Sequence, residues 1–396
     1  MSRTQYFILV VLLGALTALP PYSIDTSLAA MPGMADGLGT TSAAIQFTLS
    51  AYILGSTLGQ AVVGPISDRY GRCPVLYAGL AVYIVTAVGC ASATSVEMLT
   101  AFRFVQGACV ATARILPRAM ARDLYDREDA ARLLSYMTVI GGTAPIIAPL
   151  VGGHFTVWFG WRSVFMFMAA YAAVAFLVIL PFLREALPRA QRTPLDPARL
   201  ANIARFMLGD RAFRAYAACL MFAAGGLYAF LTGSAPALIR FLGETPQQFG
   251  FDFATIMLGY IAFSFLGGRL VNRFGIDNLL GAGVIMAAIG GVAMAGLAWA
   301  GIAAVWAIVV PMMVFMAAFA LILPQATAGA MSPFPDSAGM ASSLLGVLQA
   351  GAGAVVSAAL GLLDDGTQLP MTTAIALAGI GTVLSYFLMV HRLPRR

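Results

Sequence analysis

Lysine is absent from the 396 residues, so all 23 basic side chains are arginine, and 17 acidic ones oppose them for a formal charge of +6. Charged residues make up 10% of the chain against 60% hydrophobic ones, and the mean hydropathy is +0.86. So little polar surface cannot enclose so many apolar side chains in water, and lipid must be the solvent for most of the chain. Histidine occurs twice, at His154 and His391, and the four cysteines (Cys73, Cys90, Cys109, Cys219) show no CxxC spacing. These shortages argue against a metal centre or a disulfide framework and leave free thiols. There is no Walker loop, no dinucleotide fingerprint and no nucleophile–base pair within the apolar runs. ATP-driven work and enzymatic chemistry are disfavoured, and no cofactor is expected.

What is present is a series of long apolar runs that do not alternate, which excludes a porin-like barrel and reads as membrane-spanning helices of about 20 residues each. Breaks between them predict helices over 6–30, 42–66, 74–93, 97–118, 133–151 and 162–183, then 215–238, 251–268, 278–298, 303–328, 338–362 and 370–390. The expected fold class is an all-α membrane protein of twelve spans in two pseudo-symmetric six-helix bundles. The bundles would cover 1–183 and 215–396, joined by a linker over 184–214 in which Ala198–Leu208 forms a surface helix. The first run is too long for a signal-peptide core and reads as a retained helix.

Orientation follows from the arginines. With the N-terminus inside, the inner segments hold Arg3, Arg69, Arg72, Arg118, Arg122, Arg127, Arg132, seven in the linker, Arg269, Arg273 and three near the C-terminus, whereas the outer loops hold Arg162 and Arg240. Both termini are expected in the cytoplasm, and the basic balance reads as topology rather than nucleic-acid binding.

An ionisable group inside a span is costly unless it meets a cavity or a partner. By the limits above, Asp25, Arg103 and Arg114 qualify. Asp25 and Arg103 each lie roughly 8 Å below the outer surface at about 1.5 Å per residue, so they could meet if their helices are neighbours. Alternatively, each snorkels to the interface. As the one carboxylate well inside a span, Asp25 is the natural proton carrier. Arg114 follows Arg103 by about three turns and shares its face, either towards a cavity or snorkelling at the inner end.

Gly64-Pro-Ile-Ser-Asp68-Arg69-Tyr-Gly71-Arg72 follows the second helix and is echoed six helices later by Gly268-Arg269-Leu-Val-Asn272-Arg273-Phe-Gly275. Parallel repeats produce such an echo. An acid in the first segment could cap a helix N-terminus and release it as the halves rock; the plainer reading is a positive-inside anchor. In the fifth helix Ala144, Pro145, Ala148, Pro149, Gly152 and Gly153 form a small-residue stripe that permits close helix approach. Pro20-Pro21 predicts a kink before Asp25.

These motifs resemble the major facilitator superfamily, and within it the Bcr/CflA group of twelve-span drug:proton antiporters. The Gly64–Arg72 segment is similar to the superfamily's loop motif, with Cys73 where a further basic residue is common. Arg103-Phe-Val-Gln106-Gly107 is similar to the fourth-helix motif, and Ala148-Pro149-Leu-Val-Gly152-Gly153 to the antiporter motif, with Ala144 and Ala148 in place of glycines. Group-level likeness extends to Gln46–Ser50, Arg122–Tyr125, Phe159–Arg162 and Phe334–Ser343. The resemblance implies two bundles around a central cavity, alternating access, and efflux coupled to inward proton movement through Asp25 and Arg103. It implies Tyr22, Gln46, Tyr52 and Gln106 as cavity residues; Arg114 is not part of the family pattern and is expected beside them because it shares the face of Arg103. Gly64, Asp68, Arg69, Gly71, Arg72, Pro145, Pro149, Gly152 and Gly153 are the implied conformational-switch residues. Expected partners are a small drug-like substrate, protons and the bilayer of the inner membrane, with the chain working as a monomer. Two arginines against one acid favour neutral polar or anionic substrates over lipophilic cations. Metabolite export, uptake by the same fold, and a non-transporting sensor remain open readings.

Overall fold

The computed structural model describes residues 3–125, 127–183, 185, 187–188, 192, 197–334 and 337–393. Arg184, Arg189, Pro194, Arg395 and Arg396 of the arginine and linker readings, and Pro335-Asp336 of the resemblance, lie outside them. The described residues are almost all helical and include no strand. In order they form α1 (Arg3–Leu28), α2 (Met31–Gly37), α3 (Ser42–Tyr70), α4 (Arg72–Ala91), α5 (Val96–Leu124), α6 (Arg127–Phe159) and α7 (Arg162–Phe182). Then come α8 (Pro197–Gly209), α9 (Arg211–Ala235), a π-helical turn (Pro236–Phe241), α10 (Pro246–Trp299), α11 (Trp306–Met331), α12 (Ala338–Leu363) and α13 (Leu369–Ser385). Ten helices among the described residues are long and apolar enough to cross a membrane. Two differences from the twelve expected spans explain that number. Helix α5 is diluted by its arginines, and α10 runs 54 residues through the predicted loop between the eighth and ninth helices. Gly275 (φ 75, ψ 170) still breaks α10 into two helical segments, 246–274 and 276–299.

The helix starts are chemically legible. Thr41, Ser95 and Asp210 accept from the third backbone N–H of α3, α5 and α9, and Thr245 with Gln248 forms a reciprocal capping box on α10. Each such cap contributes about 1 kcal/mol. Helix α1 continues through Pro20-Pro21 without interruption. The short α2, unforeseen in the sequence, packs Gly33 and Gly37 against Trp161, where a Cβ on Gly37 would lie 2.5 Å from the indole nitrogen.

The chain divides into two compact units, Met1–Asp196 and Pro197–Arg396. In the first, α1 packs on α5, α6 and α7, α3 on α5, and α4 on α5 and α7. In the second, α9 packs on α11, α12 and α13, while α10 packs on α11 and α13. The neighbour pattern is thus repeated, with α9 in the place of α1 and the two segments of α10 in those of α3 and α4. The surface helix α8 belongs to the second unit and begins it; its Met207 is buried and its Phe206 meets the ring of Phe334 at 5.9 Å.

Candidate functional site

The polar centre of the first unit rests on a backbone-to-backbone seam between α3 and α5. A Cβ on Gly55 would lie 2.1 Å from the Phe104 carbonyl oxygen, on Gly59 2.3 Å from that of Ala108, and on Gly107 2.0 Å from that of Tyr52. Only glycine at these positions lets the helices approach so closely. One turn from Gly107, Arg103 is 2% exposed and points across the seam towards α1. Its guanidinium donates to the Ser23 carbonyl oxygen (3.0 Å), the Gln106 Oε1 (3.1 Å) and the Ser27 Oγ (2.8 Å). The rings of Tyr52 and Phe165 lie 4.7 and 5.4 Å from its central carbon. Hydrogen bonds from a charged donor contribute about 1.5–3 kcal/mol each, and a desolvated cation–π contact about 2. Together they offset the burial of a cation that pairs with no acid among the described residues.

Asp25 lies on α1 between the two serines that Arg103 grips, and it is 6% exposed. No ion pair joins it to Arg103 or to any other described arginine. The reason is helical phase: at about 100° per residue, Ser23 and Ser27 share a face that Asp25 turns away from. Asp25 and Arg103 are therefore buried on neighbouring helices, with the guanidinium engaged by α1 through its serines. Ser23 and Ser27 were not foreseen in the sequence; their spacing of four within an apolar helix was the available signal.

The other expected cavity residues all lie in this unit. Tyr52 and Gln106 are gathered around Arg103, and Gln46 is buried nearer the start of α3. Tyr22 packs its ring on Phe167 and Tyr171 of α7 (6.1 and 5.2 Å between centroids). Arg114 is half-buried and begins a stripe with Arg118 and Arg122 at the far end of α5.

Along the α1–α6 contact, Ala144 and Ala148 are fully buried, and a Cβ on Gly152 would lie 2.2 Å from the Thr26 carbonyl oxygen. Pro145, Pro149 and Gly153 share this stretch inside an unbroken α6. At the opposite end of the unit, Arg72 binds Asp68 (2.6 Å), Asp123 (2.9 Å) and the Ser67 hydroxyl (2.6 Å). Arg69 stacks on Tyr70 at 5.3 Å. Gly71 has φ 104, a conformation that glycine supplies at little cost, whereas a Cβ on Gly64 would meet nothing within 4 Å. The acid that caps a helix here is Glu185, which accepts from Arg72 N and Cys73 N at the start of α4.

A family model described as the Major Facilitator Superfamily matches residues 11–358. The bicyclomycin resistance protein homolog of Haemophilus influenzae is 29% identical to this chain over 99% of it and 98% of its own length. Multidrug resistance protein D of Escherichia coli is 28% identical, covering 88% of this chain and 87% of its own. The solved structure of a D-xylose-proton symporter superposes with a TM-score of 0.79 at 18% identity, over 99% of this chain and 98% of that one. That last likeness is one of fold.

Proposed function

Because this chain belongs to the Major Facilitator Superfamily, we propose that it is a proton-coupled antiporter exporting small drug-like molecules by alternating access. The observation that carries the reading is a buried carboxylate, Asp25, on the same helix whose serines hold the buried guanidinium of Arg103. A carboxylate inside a span that none of the described arginines neutralises by direct contact can gain and lose a proton as its access to water changes. The names of the relatives, bicyclomycin resistance protein homolog and multidrug resistance protein D, support drugs as the cargo.

In this reading α5 and the two segments of α10 complete twelve spans. The arginine bias orients both termini to the cytoplasm across the inner membrane, and a monomer suffices. Asp25 carries the proton and Arg103 positions α1 for it. Tyr22, Gln46, Tyr52, Gln106 and Arg114 belong to the substrate path. The Gly64–Arg72 segment and the Pro145–Gly153 stretch accommodate the conformational change. Two arginines against one acid that is neutral when loaded favour neutral polar or anionic compounds over lipophilic cations.

A resistance panel in an efflux-deficient strain, repeated with an uncoupler, tests the proposal. Resistance to amphenicol-type compounds should appear and vanish with the proton gradient. Resistance that survives the uncoupler would exclude proton drive, and ethidium exported as well as any neutral drug would exclude the charge preference.

A further inference from the structure

The two units repeat one arrangement but differ in its chemistry at one place. In the first unit Gly71 ends α3, and the first two amides of α4 donate to the two carboxylate oxygens of Glu185, at 2.8 and 3.2 Å. Glu185 also accepts from Leu187 N at 3.0 Å, and Arg192 stands 4.0 Å away. These groups border a cavity of about 490 Å³ together with Cys73 and Tyr77. An anion of the chain's own thus occupies the positive end of α4.

Gly275 is the counterpart of Gly71, ending segment 246–274 and opening segment 276–299. The sequence that follows α7 reads Leu183-Arg184-Glu185-Ala186-Leu187-Pro188, and the one that follows the π-helical turn Tyr386–Val390 after α13 reads His391-Arg392-Leu393-Pro394. Aligned on Arg and Leu-Pro, the second copy lacks the Glu-Ala pair. The same region of the second unit holds a larger cavity, about 730 Å³, bordered by Phe274–Asn278, Arg211, His391 and Arg392.

The two acids on its wall are already engaged. Asp210 caps α9 by accepting from Phe213 N at 2.8 Å, and Asp277 accepts from the Tyr216 hydroxyl at 2.6 Å, its backbone oxygen accepting from Tyr386 at 2.9 Å. Arg211, His391 and Arg392 form no ion pair among the described residues. Two exposed arginines from separate elements, an exposed histidine and a helix start therefore border a space wider than a carboxylate needs.

We infer that this cavity binds a phosphate-type oxyanion, held by Arg211, Arg392 and His391 at the start of segment 276–299, where the first unit uses Glu185. A phosphate group offers three or more acceptor oxygens in a tetrahedral array, enough for both forks at once, and favours a helix N-terminus. It can arrive as a lipid headgroup or as free phosphate, and the two sources are separable.

The purified protein in neutral detergent is titrated with inorganic phosphate at constant ionic strength while thermal melting is followed. In parallel, protein in phosphatidylcholine nanodiscs with or without phosphatidylglycerol is examined by native mass spectrometry for retained lipid. Arg211→Gln with Arg392→Gln should weaken phosphate-induced stabilisation at least about tenfold in half-saturating concentration, or remove one retained phosphatidylglycerol. The first result assigns free phosphate and the second a headgroup. Leu393→Glu, which offers a carboxylate to the same cavity, should suppress either signal while raising the melting temperature without phosphate. Absence of both signals in the wild type, or signals equal in wild type and the double variant, would overturn the inference. Neither measurement involves transport, so such a failure leaves the efflux reading standing.

Discussion

Arg103 holds its guanidinium over the ring of Tyr52, 4.7 Å from the centroid, while the carbonyl of that same Tyr52 abuts Gly107 one turn along α5. A single residue of α3 therefore fixes α5 twice, through its ring and through its backbone. The consequence is a cation whose position on α1 is set by the depth of a glycine seam.

Arg103→Lys keeps the charge but loses the planar fork that reaches Ser23, Gln106 and Ser27 together. Uphill export in proteoliposomes should fall at least about tenfold, and the thermal stability should drop by about 2 kcal/mol, the worth of one or two charge-assisted hydrogen bonds. Lysine supporting full-rate export would show that positive charge alone is needed there.

Gly107→Ala introduces a methyl whose nearest neighbour is backbone, which cannot rotate away. A Cβ 2.0 Å from the Tyr52 carbonyl oxygen forces α3 and α5 apart, at a cost of about 1–3 kcal/mol. Gly64→Ala on the same helix pair meets nothing within 4 Å and should be neutral or gain up to about 1 kcal/mol from helix propensity. Denaturation of the two variants in detergent checks the contrast, and equal losses would contradict the seam.

Asp25 has no ion pair among the described residues, so Asp25→Asn should change stability by less than about 1 kcal/mol. Uphill export should nevertheless be abolished, while substrate counterflow, which needs no net proton movement, persists. Normal proton-driven export by this variant would remove Asp25 from the coupling step.

Most of this architecture was legible because span length and apolarity are local properties. Predicted limits such as 162–183 and 338–362 fall within a residue of α7 and α12. The middle of α10 reads as a loop over 269–277 because Arg269, Asn272, Arg273 and Asp277 interrupt the apolar run. Polarity there marks a helix leaving lipid, and one glycine at φ 75 makes the turn. Helix α2 is not evident in the sequence because Met31-Pro-Gly-Met-Ala-Asp-Gly reads as a loop; its packing on α3 and on Trp161, 124 residues past Gly37, is a long-range property. Residue types single out Asp25 and Arg103, but not the way Arg103 engages α1 through Ser23 and Ser27 rather than through Asp25. Serines in apolar helices usually bond their own backbone, as the Ser23 hydroxyl does with the Leu19 carbonyl oxygen at 2.7 Å, so the spacing of four is a weak sign that the Ser23 carbonyl and the Ser27 hydroxyl receive an arginine.

The last prediction concerns pH and a carboxylate outside the spans. Glu244 sits in the turn before α10, and burial together with the neighbouring Asp252 carboxylate pushes its pKa up to about 8 from an ordinary value of 4.5. Its Oε2 and the Asp252 Oδ2 are both buried and find no donor among the described residues. A proton held on one of them relieves both acceptors. Between pH 4.5 and about 8 the folded protein keeps a proton on Glu244 that the unfolded chain has released. Folding therefore takes up a proton in this window, and stability must fall as pH rises through it. Melting temperature measured in detergent from pH 5 to 8.5 should decline for the wild type, and Glu244→Gln, which stays neutral and can donate to Asp252, should flatten that decline. Asp252→Asn should shrink it as well, since an amide donor lets Glu244 ionise at lower pH. Identical slopes in the wild type and Glu244→Gln would mean that the two carboxylates do not share a proton.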